Sequence, residues 1–326
     1  MVDDACSKLR GAYLSIVNGG ISPLSLNPST SIKVFNSIMI PKALYGCELW
    51  TSMSAEDKIK LERSHRICLK HIQGLPQNTA TNFSLCAIHA VPMETKVDYR
   101  KLVFLGQLCN LPNTYMAKHL FNSRLVHYGN FDKQHHCFIP TSVRYCASTN
   151  FTTLWISTLQ KACSWRKVCG KPCSGDMLHK KRNLDLLQEC LVKYSFLGST
   201  ILRSDGVCAL WNIARNNSEL SSLCSKTVRV IGRLTMPAYL NTCALWNELN
   251  SNIVHHRILL CNANSNTREQ LWNTILDTNG LSGFNQMCRS CLSEQCNNIL
   301  RMFLDINYDN FIHTRLSSLV CKMFSQ

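Results

Sequence analysis

The chain of 326 residues is long enough to bury a substantial core and to form about two domains of ordinary size. Its 45% hydrophobic and 17% charged residues are the composition of a folded protein and exclude a disordered one, and no run of about 18 or more apolar residues is present to span a bilayer. Lys and Arg outnumber Asp and Glu by 35 to 20, and the formal charge of +15 makes a polyanion the expected partner, with nucleic acid favoured over membrane.

Helical patterning dominates positions 1–127. Asp3 can cap a helix whose apolar positions Cys6, Leu9, Tyr13, Ile16 and Val17 recur with helical period, and Gly19 and Gly20 end it. A second helix is expected from Pro28 toward Pro41 with Ile32, Phe35, Ile38 and Met39 on one face, and Tyr45 to Trp50 follow as a compact aromatic element. From Ser54 to Gln73 the signal is strongest. Ser54 with Asp57 resembles a capping box, Gly74 suits a helix end, and Leu61, Cys68, Leu69 and Ile72 share one side. His65 falls among those apolar positions and reads as a core histidine. Further helices are expected over Met93–Leu111, with Val97, Leu102, Phe104, Leu105 and Leu108 facing the core, and over Tyr115–His127.

The periodicity is lost from Tyr128 to about Asp176, where Pro140, Gly170, Pro172 and Gly175 punctuate the chain. Helical pattern returns over Leu184–Tyr194. Short apolar clusters follow at Cys208–Trp211, Leu220–Leu223 and Val228–Ile231, and helical stretches at Thr267–Asp277 and, with interruptions, Asn297–Phe324. The expected architecture is mainly α: a helical bundle over 1–127, an irregular connector over 128–183 and a second small, mostly helical domain over 184–326.

Within the last segment, Thr242 to Trp272 has the outline of a zinc knuckle with one ligand missing. Cys243, His256 and Cys261 supply three donors, and Trp246 stands where a closed tetrahedral site asks for a second cysteine. His255, Cys208 and Cys224 are alternative fourth donors, none at the usual spacing. No cofactor is expected apart from this zinc set, and a metal-free loop in which Trp246 packs is the competing reading. Cys163, Cys169 and Cys173, then Cys288, Cys291 and Cys296, then His135, His136 and Cys137 are further groupings. Chance proximity accounts for them in a chain with 19 cysteines. Thiols such as Cys68, Cys86 and Cys109 occupy apolar helical positions, as buried cysteines do in a reducing compartment.

The candidate nucleic-acid contacts are Lys58, Lys60, Arg63, Arg66, Lys70 and His71 on one helix and Lys96, Arg100 and Lys101 on the next long one. Such side chains grip phosphates and position a strand without reading its sequence. No phosphate-binding GxxxxGK[ST] loop, GxSxG elbow or HExxH pair is present, and the adjacent Asp3 and Asp4 are better explained by helix capping than by a two-metal site.

Four blocks, SIKVFNSIMIPKALYGCELW (Ser31 to Trp50), KLERSHRICLKHIQGLP (Lys60 to Pro76), DYRKLVFLGQLCNLP (Asp98 to Pro112) and the knuckle-like stretch ending REQLW, resemble the C-terminal part of the reverse transcriptase of LINE-type (non-LTR) retrotransposons of the jockey and chicken-repeat kind. The similarity touches nearly the whole chain and is most specific in the Pro41–Trp50 block. It implies a thumb-like helical domain over 1–127 and a degenerate cysteine-histidine knuckle at Cys243, His256 and Cys261. Palm, fingers and endonuclease would precede Met1. The resemblance thus implies a catalytically inactive, 5′-truncated fragment, intracellular (nuclear or cytoplasmic) and not secreted, with residual non-specific affinity for RNA, DNA or their hybrid and none for membrane. Two alternatives stand beside it: a non-functional, incompletely folded relic, and a zinc-dependent hydrolase using Asp3, Asp4 or Cys261.

Overall fold

The computed structural model describes residues 1–20, 26–50, 53–127, 173–193, 211, 218–236, 256–291, 294–296, 298–299, 302 and 310–325. Among these residues the regular structure is helical and no strand occurs, so the fold is mainly α. They pack into two compact units. One is drawn from Met1–Tyr13, Asn36–His65 and Val91–Asn183, the other from Leu14–Phe35, Arg66–Ala90 and Leu184–Gln326. Each unit gathers separated stretches of chain.

Helix α1 (Val2–Asn18) buries Val2, Ala5, Cys6, Leu9, Ala12 and Tyr13, while Ile16 and Val17 are only half-buried. Asp4 and Lys8, one turn apart on the outer side, pair at 2.7 Å. The turn closes as expected, with the Gly20 N–H on the Val17 carbonyl and Gly20 at φ +97°, a conformation that suits a residue without Cβ.

Helix α2 (Pro28–Val34) starts on a strong local signal. The Asn27 carboxamide accepts from the Ser29 N–H at 2.8 Å and the Ser29 hydroxyl at 2.7 Å, and Pro28 occupies the first helical turn, where its missing N–H costs nothing. The expected continuous helix to Pro41 is interrupted. A π turn over Phe35–Met39 separates α2 from α3 (Ile40–Ala43). Pro41 has no N–H to offer the carbonyl of Ser37, and the wider turn resolves that mismatch by shifting the helical phase. Phe35 and Met39 are therefore buried while Ile38, expected on the same face, is 54% exposed. Beyond α3, Gly46 at φ +73° turns the chain into a short 3-10 turn, Cys47–Leu49. That turn buries Cys47 and Trp50 and leaves Tyr45 and Leu49 outside.

Helix α4 (Ala55–Ile72) is the element the sequence specifies most completely. The Ser54 hydroxyl bonds the Asp57 carboxylate at 2.8 Å and accepts from the Asp57 N–H at 3.1 Å. At the far end the Leu75 N–H reaches the Lys70 carbonyl and the Gly74 N–H reaches His71, a Schellman closure with Gly74 left-handed at φ +62°. Leu61, Cys68, Leu69 and Ile72 are buried as expected, and so is His65.

Helix α5 (Thr81–Cys86) buries Phe83 and Leu85. The buried Gln73 carboxamide links α4 to α5 by donating to the carbonyls of Leu69 (3.2 Å) and Ser84 (2.8 Å). Helix α6 (Met93–Asn110) buries Val97, Leu105 and Leu108, and α7 (Met116–His127) packs against it.

In the C-terminal part, α8 (Cys173–Lys193) begins well before the expected Leu184, so Gly175 lies within a helix and not in a punctuated connector. The apolar clusters at Leu220–Leu223 and Val228–Ile231 belong to one amphipathic helix, α9 (Ser218–Leu234), which buries Cys224, Val228, Ile231 and Leu234. Helix α10 (Ser265–Arg289) runs past the expected end at Asp277. It bends at Gly280 (φ +67°) and places Phe284 edge-on to Trp272 at 5.6 Å. Helix α11 (Asn310–Ser325) packs on both α9 and α10. The Arg233 guanidinium donates to the Phe324 carbonyl at 3.0 Å, a cation at the negative end of α11. Among the described residues no helix is long and apolar enough to cross a membrane.

Candidate functional site

Two sets of residues deserve the test of geometry: the cations of α4 and α6, and the Cys/His loop. Helix α6 places its cations against acceptors. Arg100 donates to the Leu44 carbonyl at 3.2 Å, which ties α6 to the end of α3, and lies 3.7 Å from the Glu48 carboxylate. The Lys96 ammonium donates to the Asn36 carboxamide at 2.8 Å. Burial, with Arg100 adding to it and Glu62 opposing, brings its pKa from the ordinary 10.5 to about 8. Lys101 is buried, which lowers its pKa, while the charge of Asp98 pulls the other way. Asp98 in turn is raised to about 6, first by burial and then by the Glu94 carboxylate, against the opposing pull of Lys101 and Lys58.

The N-terminal half of α4 joins the same network. Lys58 pairs with Glu94 at 2.6 Å, and Lys60 lies 3.4 Å from Glu56 and 3.8 Å from Asp3, whose charges raise its pKa. Deeper in, the buried Glu62 carboxylate accepts the Met93 N–H at 2.7 Å, capping the start of α6, and its other oxygen stands 3.6 Å from His65 Nδ1. Cys47 lies beside Arg100 and Lys101, yet burial and the neighbouring Glu48 push its thiol up to about 11. That thiol is a packed side chain and no nucleophile.

The stretch of α4 from Arg63 onward differs. Arg63 is exposed, and its helical neighbours three and four residues away are Ile59, Lys60, Arg66 and Ile67, none of them acidic. Arg66 and Lys70 continue the same face at the following turns. Both are part-exposed, and His71 beside them is exposed. The Lys70 ammonium donates to the Gln77 carbonyl at 2.6 Å, and burial followed by repulsion from Arg66 lowers its pKa. Of the eight cations expected to contact phosphate, Lys58, Lys60, Lys96, Arg100 and Lys101 are thus engaged with carboxylates, backbone or burial. Lys70 is likewise held by a backbone carbonyl and Arg66 has Glu62 four residues before it, so what sets Arg63, Arg66 and Lys70 apart is their succession along one side of α4.

Of the expected zinc donors, His256 and Cys261 lie in or beside a π turn (His256–Leu260), both buried, with the Cys261 N–H on the His256 carbonyl at 2.6 Å. Burial lowers the His256 pKa, and Arg257 and Arg268 lower it further. Arg268 also donates to the Cys261 carbonyl at 3.0 Å. The imidazole is therefore neutral, as a metal ligand must be, but the surrounding field repels a cation. Among the described residues no third His, Cys, Asp or Glu joins this pair, and two donors do not make the closed four-ligand set of a structural zinc. Cys243 and Trp246 lie outside the described residues, as do Cys163, Cys169, His135, His136 and Cys137. Cys288 and Cys291 are exposed and Cys296 is buried, its thiol raised to about 12 by burial.

Sequence reasoning missed the anchors that fix the network: Asn36, Glu48, Glu94 and Asp98. Glu94 and Asp98 share a helical face with Lys101, at spacings of four and three residues, which was the available signal. Comparison with protein-family models, with curated proteins and with solved structures gave no match to this chain.

Proposed function

We propose that this chain binds RNA, DNA or an RNA–DNA hybrid through the sugar–phosphate backbone, as the non-catalytic C-terminal part of a LINE-type reverse transcriptase, and that it has no polymerase or nuclease activity of its own. The observation that carries this reading is the row of Arg63, Arg66 and Lys70 on the open side of α4. It lies within the Lys60 to Pro76 block on which the resemblance partly rests, in a chain of net charge +15. Cations one turn apart on a rigid helix match successive phosphates and release condensed counterions when they bind, which gives affinity without sequence preference. The absence of nucleotide-binding and hydrolase motifs from the sequence supports the non-catalytic part of the proposal.

The test is titration of a short RNA–DNA hybrid with the purified chain at low and at moderate salt. Binding that weakens steeply with salt and is indifferent to base sequence is the expected result, and no binding at either salt overturns the proposal. Polymerase and nuclease assays on the same preparation should be blank.

A further inference from the structure

Helix α9 carries a second row of cations. Lys226 and Arg229 are three residues apart and Arg233 follows four further on, while Thr227, Val228, Val230, Ile231 and Leu234 beside them are buried. The three cations therefore share the outer side of the helix, with Lys226 exposed and Arg229 and Arg233 part-exposed. No acidic residue stands three or four positions from Lys226 or Arg229 in the sequence. Arg233 donates to the Phe324 carbonyl, which leaves Lys226 and Arg229 to meet an external anion.

This row meets the one on α4. A β-carbon at Gly74, which closes α4 four residues after Lys70, would stand 3.0 Å from Arg229 Nη2 and 3.2 Å from its Nε, so the guanidinium lies directly on the glycine. A side chain at position 74 would block that approach. Two further contacts seat the helix there. A β-carbon at Gly232 would come within 2.9 Å of Leu75 Cδ2 and 3.2 Å of Thr79 Oγ1, and the Ala80 N–H donates to the Thr235 hydroxyl at 3.2 Å. Positions 229, 232 and 235 thus dock α9 along residues 74–80, inside the compact unit that also contains Arg66 and Lys70. The buried Nε of Arg229 has no hydrogen-bond acceptor among the described residues, so the contact brings a positive charge to the end of α4 without tying that nitrogen to a carbonyl.

We propose that Lys226 and Arg229 are the second half of the surface that grips the nucleic-acid backbone, continuing the α4 row past its end at Gly74. The inference rests on the backbone binding proposed above and adds to it the residues that take phosphates beyond Lys70. A guanidinium offers phosphate oxygens a planar fork and an ammonium offers them a point charge. Seated on two docked helices, these groups are ordered before the nucleic acid arrives, which reduces the entropy lost on binding.

The experiment measures binding of the full chain to an RNA–DNA hybrid as a function of salt, for the wild type and for Lys226→Gln combined with Arg229→Gln. Loss of two phosphate contacts should make log K against log[salt] shallower by about 1.4–1.8, with the cooperative melt retained. A cation that served only the negative end of α4 would lower Tm on removal and leave that slope alone. A folded double variant with the wild-type slope therefore overturns the inference while the α4 row stands. A wild-type chain that binds at no salt concentration overturns it together with the reading beneath it. Should the double variant fail to fold, acetylation of the wild-type lysines decides: Lys226 should react more slowly with hybrid bound, and an unchanged rate in a chain saturated with hybrid overturns the inference.

Discussion

Helix α6 and the stretch of α4 from Arg63 onward carry three of the expected cations each, and they place them differently. On α6, Lys96, Arg100 and Lys101 turn toward Asn36, the Leu44 carbonyl, Glu48 and Asp98, so their charges hold one unit of the protein together. On α4, Arg63, Arg66 and Lys70 follow one another along one side; Arg63 has no acidic residue at i±3 or i±4, Arg66 has Glu62 at i−4, and Lys70 donates to the Gln77 carbonyl. A basic segment is open to a polyanion only where the fold leaves its side chains at the surface. Count alone does not distinguish the two helices.

That contrast can be broken by variants on either side. Arg100→Ala removes a charge-assisted bond to the Leu44 carbonyl and the pair with Glu48, and should cost ~1.5–3 kcal/mol of stability in chemical denaturation, with hybrid binding by the still-folded fraction little changed. A large selective loss of binding at unchanged stability would place Arg100 on the interface instead. A smaller effect is expected at Asp98. Its pKa is about 6 in the folded chain against an ordinary 3.8, so folding takes up a proton between those values and stability falls as pH rises through them. Asp98→Asn should flatten that part of the stability curve and leave the variant the more stable protein above pH ~7; an unchanged slope would remove Asp98 from the buried network. The opposite sign applies to Lys96. Its lowered pKa makes stability rise with pH from about 8 toward 10.5, and Lys96→Met should abolish that rise. Smallest of all, Arg63→Gln should alter stability by no more than ~0.5 kcal/mol, since Arg63 is exposed and no acidic residue stands three or four positions from it on α4.

Local signals in the sequence read through to the structure. Ser54 with Asp57 and Gly74 bound α4 because caps are written in residues next to one another, and the buried stripe from Leu61 to Ile72 follows from helical period alone. Features that depend on distant or phase-shifting residues did not. Pro41 inserts a π turn that throws Ile38 outward, and the apolar clusters of α9 look separate although one continuous helix carries both. At the candidate site the cations were legible as types. Which of them remain available depended on partners such as Glu94, 36 residues from Lys58, and Asn36, 60 residues from Lys96. The Cys/His loop was legible as a set of donors, whereas the charge that Arg268 adds beside His256, together with its neighbour Arg257, comes from a residue distant in sequence.

The proposed function rests on the row on α4 gripping the nucleic-acid backbone. Its most direct test is the salt dependence of hybrid binding for the wild-type chain beside Arg63→Gln, Arg66→Gln and Lys70→Gln in combination. Each lost phosphate contact should reduce the slope of log K against log[salt] by about 0.7–0.9, so the triple variant should be shallower by about two to three while keeping its cooperative melt. A triple variant that binds the hybrid with the wild-type slope would contradict the account.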